Sequence, residues 1–106
     1  MVRGREERRA QRRHKVRLLA RWGRGEVKGV VTDISTEGCF VMSDEPVGEG
    51  DLVKLTVELP GRGNMTIWGN VVYVERREGF GLRFHAFSRG GDKDTLRKIL
   101  GEADVR

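Results

Sequence analysis

Of 106 residues, one is cysteine and two are histidine. That excludes an intrachain disulfide and a cysteine-based zinc set, and it suits reducing conditions. No run approaches the roughly eighteen apolar residues of a membrane span, and the N-terminus lacks the apolar stretch of a secretory signal, so the chain is expected in the cytoplasm. Neither GxGxxG nor GxxxxGK followed by Ser or Thr occurs, and no carboxylates are paired for acid–base work. No residue stands out as catalytic, and the protein is read as a non-enzyme. With 37% apolar residues, the length allows one modest core and one domain.

What the chain does have is unevenly spread charge. Residues 1–28 carry a net charge of +8, and residues 29–106 a net charge of −3. A basic arm on a mildly acidic body points to a phosphate-bearing or acidic partner met by the arm. Residues 1–14 contain only Met1 and Val2 as large apolar side chains, too few to offset ordering entropy. They are expected to form a flexible arm, followed by a folded unit over 15–106.

From Val16 the pattern has period two. Val16, Leu18, Ala20 and Trp22 alternate with outward residues, then Val27 to Ser35 and Cys39 to Ser43 read as strands. Val53, Leu55, Val57 and Leu59 give the clearest alternation, and a long strand from Met65 to Glu75 is interrupted at Gly69, where a bulge or close packing is expected. Phe80, Leu82 and Phe84 form a last strand. Leu96, Ile99 and Leu100 follow Asp92 and Asp94 at helical spacing, with Gly101 as the expected stop. Six short strands and one helix predict an all-β protein: a six-stranded antiparallel barrel with a short C-terminal helix over its open end or edge. The aromatic residues Trp22, Trp68, Tyr73, Phe80 and Phe84 are assigned mostly to the core, with Trp68 or Tyr73 available to flank a base.

Two clusters carry chemistry. Asp33 and Ser35 lie two apart at a strand end and are expected to share a face while Ile34 points inward. An ionised Asp accepts the hydrogen bonds that a guanine edge donates, a Ser hydroxyl can donate or accept beside it, and Gly38 removes a Cβ where a base or backbone comes close. The plainer alternative is that Asp33 and Ser35 cap a turn and Gly38 supplies a positive φ. Upstream, Arg8, Arg9, Arg12 and Arg13 offer planar five-donor groups suited to phosphate or to the O6/N7 edge of guanine; the alternative is a solvated basic tail. His14 and His85 have no companion ligands for a metal, and Cys39 reads as a small core residue.

The run Glu7-Arg8-Arg9-Ala10-Gln11-Arg12-Arg13, an alternating strand, and then Asp33-Ile34-Ser35-Thr36-Glu37-Gly38 resemble the RxxxR and D/NxSxxG motifs of PilZ domains, bacterial receptors for cyclic di-GMP. Gly69-Asn70-Val71-Val72-Tyr73-Val74 and Gly79-Phe80-Gly81-Leu82-Arg83-Phe84 are similar to the same family's C-terminal half. Arg13 and Arg17 also satisfy RxxxR, but Arg9 and Arg13 are preferred because the strand then begins just after the second arginine. His14-Lys15 departs from the apolar residue and frequent proline of the common pattern.

The resemblance implies that Arg9 and Arg13 bind phosphate and guanine edges, that Asp33 and Ser35 bind a guanine, and that Gly38 admits it. Arg8 implies capture of an intercalated ligand dimer. The function expected is a stand-alone cyclic di-GMP receptor that signals by ordering its arm and engaging a downstream protein. The rivals are a small barrel binding single-stranded nucleic acid and a PilZ-like interaction module without ligand.

Overall fold

The computed structural model describes residues 13–23 and 27–104. Six antiparallel strands appear in chain order: β1 (His14–Trp22), β2 (Val27–Ile34), β3 (Gly38–Met42), β4 (Leu52–Leu59), β5 (Gly63–Glu75) and β6 (Gly79–Phe87). They close into a barrel with neighbours β1-β2-β3-β6-β5-β4, followed by α1 (Asp92–Asp104). The expected six-stranded barrel with a C-terminal helix is what the chain forms.

Alternation explains the interior. Val53, Leu55, Val57 and Leu59 are buried along β4, facing Met65, Ile67 and Val71 of β5 and Phe80, Leu82 and Phe84 of β6. Each such side chain contributes roughly 1.5–3 kcal/mol by leaving water. Trp22 packs edge-on against Phe80 at 5.0 Å, and its indole N–H donates to Ser43 Oγ at 3.1 Å, so the burial leaves no orphan donor. Leu96 and Leu100 of α1 join the same core, which makes the helix the lid of one barrel end. Cys39 is fully buried, as a small core residue should be.

Gly69 sits at a register shift on β5, and a Cβ there would lie 2.5 Å from the Arg83 carbonyl oxygen; bulge and close packing coincide. Gly101 does not end α1, which runs on to Asp104. A Cβ at Gly101 would meet only open space, so no packing demands the glycine. Among the described residues no helix is long and apolar enough to cross a membrane, and no cluster of metal-ligating side chains occurs.

Candidate functional site

The site begins with a break in alternation. Val31 and Ile34 are both buried, which strict period two forbids for residues three apart. A bulge at Thr32 resolves the conflict: Val31 pairs with Val41 and Asp33 with Phe40, so one extra residue is absorbed on β2. Asp33 is thereby turned outward instead of into the barrel. Just before β1, Arg13 reaches it: Nη1 donates to Asp33 Oδ1 at 2.5 Å, and both side chains stay 30% exposed. Residues twenty apart in sequence thus meet as a charge-assisted pair on the outer surface.

The turn after Asp33 is built from inside. Ser35 is 2% exposed, and its Oγ accepts from the backbone N–H of Glu37 at 3.0 Å and of Gly38 at 3.2 Å. Ser35 N–H also donates to the Gly38 carbonyl at 2.8 Å. The hydroxyl is therefore committed to the turn rather than shared with Asp33 on an open face. Gly38 has no positive φ; a Cβ there would lie 2.4 Å from the Leu82 carbonyl oxygen, so the glycine answers to the neighbouring strand. Glu37 ties the turn to two other elements, accepting from Phe84 N–H at 2.8 Å and facing Lys93 Nζ of α1 at 3.5 Å.

A second bulge works the same way. On β5, Val71 pairs with Leu82 and Tyr73 with Gly81, which leaves Val72 as the extra residue and flips Tyr73 to the outside. Tyr73 lies across Gly81, where a Cβ would come within 2.3 Å of the ring, and stacks on Phe40 at 6.1 Å and 26°. Its assignment to the core is thus corrected: the bulge places it 40% exposed on the outer face. Trp68 lies elsewhere and half-buried, with Lys54 Nζ 5.8 Å from its ring centroid. Tyr73 is the aromatic that stands at the site.

Together these elements frame a cleft of about 310 Å³ lined by Arg13, Glu37, Gly38, Tyr73 and Arg83, among others. Burial raises the Tyr73 phenol above its ordinary range; the Arg13 guanidinium opposes the rise and Asp33 adds to it. Burial likewise pushes the Cys39 thiol far up, with Asp33 adding to it, so the thiol stays protonated and inert. The cleft offers cationic forks, a carboxylate acceptor and an aromatic ring, the groups that a planar anionic ligand needs.

Of the residues singled out from the sequence, Arg13 and Gly38 line the cleft, Asp33 stands beside it through its contact with Arg13, and Ser35 lies beneath the turn. Arg8 and Arg9 lie outside the described residues, as does Arg12. Arg17 is on β1 and lines a different cleft with Glu58 and Pro60. Arg83 was not singled out at all. Alternation foretells that it points outward, but only the β3–β6 register, which sets Arg83 opposite Gly38, brings it to the site.

Solved structures share this fold. The inhibitor of motility from Bacillus subtilis (MotI/DgrA) superposes with a TM-score of 0.74 at 18% identity, covering 93% of this chain and 53% of its own. YcgR from Escherichia coli in complex with c-di-GMP gives 0.73 at 14% identity, covering 92% and 46%. The chain thus spans about half the length of these two proteins. The c-di-GMP-bound PilZ domain of the same YcgR gives 0.69 at 14% identity, covering 93% and 99%. A search of curated proteins found no match. The model of the PilZ domain family matches residues 5–102, nearly the whole chain, and the chain belongs to that family.

Proposed function

We propose that this domain is a receptor that binds cyclic di-GMP at the cleft lined by Arg13, Gly38, Tyr73 and Arg83, with Asp33 held beside it by Arg13. The observation that carries the reading is the Arg13–Asp33 contact at 2.5 Å beside an open cleft in a PilZ chain. Asp33 accepts from the guanine edge. Arg13, with Arg9 and Arg8 supplied from the preceding segment, takes phosphate oxygens and the guanine O6/N7 edge. Tyr73 offers its face to a base, and Ser35 holds the turn that presents Asp33 and Gly38. The position of Arg17 in a separate cleft supports Arg9 and Arg13 as the RxxxR pair.

The domain binds and releases its ligand without chemistry. Charge-assisted contacts offset the entropy of fixing the segment ahead of Arg13, and that fixed segment becomes a surface for a downstream protein in the cytoplasm. Arg8 favours a stoichiometry of two intercalated ligands per chain. Binding of single-stranded nucleic acid is disfavoured because the outer face offers one aromatic platform, the Phe40–Tyr73 stack, rather than a track of exposed rings among the described residues.

Titration calorimetry with cyclic di-GMP, GMP and a short single strand tests the reading. Heat with cyclic di-GMP alone at tens of micromolar is the expected result. Equal affinity for the single strand, or no heat with cyclic di-GMP, would overturn it.

A further inference from the structure

β1 pairs with β2 along its length apart from a register shift at Val16 and Arg17, and it pairs with β4 only over residues 20–22. β4 ends at Leu59, where Pro60 has no N–H to offer and Arg62 N–H closes a turn onto the Leu59 carbonyl. Residues 14–19 of β1 are therefore left with one side of their backbone unpaired among the described residues. A free strand edge is a template for another strand.

Two clefts flank this edge, of about 400 and 450 Å³, and both are bounded by Leu18, Leu59 and Pro60. Val16 and Leu18 turn half-buried toward a floor completed by Leu96 and Ile99 of α1. Lys15 and Arg17 alternate with them and are exposed. Neither cation forms an ion pair among the described residues.

We infer that the free edge of β1 at residues 14–19 docks an extended protein segment as an added strand, one whose side chains alternate between apolar and carboxylate. The apolar set enters the cleft beside Val16, Leu18 and Leu59, while the carboxylates meet Lys15 and Arg17. Main-chain hydrogen bonds supply affinity and the alternating side chains supply selectivity. The two cations disfavour basic strands and a second copy of this basic edge, which blunts the open edge against self-association. Nothing in this inference depends on the nucleotide site.

The test uses the full chain, isotope-labelled, and three capped peptides: one alternating Glu and Val, one alternating Lys and Val, and the Glu–Val peptide with the alternate amides that would face β1 N-methylated. The Glu–Val peptide should shift the amides of residues 14–19 and bind at least about tenfold tighter than the Lys–Val peptide, and N-methylation should abolish the effect. The double variant Lys15→Glu with Arg17→Glu should invert the preference. Equal binding of the Glu–Val and Lys–Val peptides, binding that survives N-methylation, or no binding at millimolar peptide would each overturn the inference.

Discussion

The turn at residues 35–38 and Arg13, just ahead of β1, meet at the same cleft but are held by different forces. The turn is locked by the buried Ser35 hydroxyl, by backbone bonds from Ser35 and Phe84, and by the Leu82 carbonyl pressed against Gly38. Arg13, just ahead of a strand with one free edge, is held among the described residues by one ion pair, 30% exposed. An exposed pair of this kind contributes roughly 0.2–1 kcal/mol, so Arg13 can be drawn away from Asp33 by a ligand phosphate at little cost, whereas the turn cannot move without breaking the barrel. Under the proposed function, one half of the site is a fixed mould, and the other is the part that closes.

The largest break in that contrast should come from Gly38→Ala. Its Cβ would meet backbone rather than a yielding side chain, so a loss of about 3 kcal/mol is expected, read as a lowered denaturation midpoint. Asp33→Ala should do the opposite. Stability should change by under about 1 kcal/mol, while affinity for cyclic di-GMP falls about ten- to a hundredfold by calorimetry, and Arg13→Ala should match it.

Ser35→Ala sharpens the comparison further. It removes the acceptor for two backbone N–H groups, so a stability loss of about 1–2 kcal/mol should precede any loss of ligand, and urea unfolding would show it. Tyr73 is the chain's one tyrosine, so ultraviolet titration at high pH reads it alone. Its phenol should ionise above the ordinary range. Asp33→Asn should lower that value by removing a negative neighbour, and Arg13→Ala should raise it further. Smallest of all, Arg17→Ala should leave cyclic di-GMP affinity unchanged within about twofold, since Arg17 belongs to another cleft.

Much of this molecule can be read from the sequence because alternation is a local signal. Val53 to Leu59 announces its strand and its buried face without help from any other residue. The site is harder for a definite reason: its two outward residues, Asp33 and Tyr73, are placed by bulges at Thr32 and Val72. A bulge is a property of two strands in register, so the sequence could place Asp33 opposite an inward Ile34 and leave Tyr73 either in the core or beside a base, but it could not show the bulges that turn both outward. Arg83 was missed for the same cause, because its nearness to Gly38 exists only once β3 lies beside β6. Ser35 shows the limit of motif reasoning: spacing placed it with Asp33, while burial gives its hydroxyl to the turn.

The most direct test of the account is a heteronuclear NMR titration of the full chain with cyclic di-GMP. The account predicts that amides at residues 33–38, Tyr73 and Arg83 shift together and saturate, while those of β4 at residues 55–57 stay still. Shifts confined to the β4 side, or no saturable shift at residues 33–38, would contradict it.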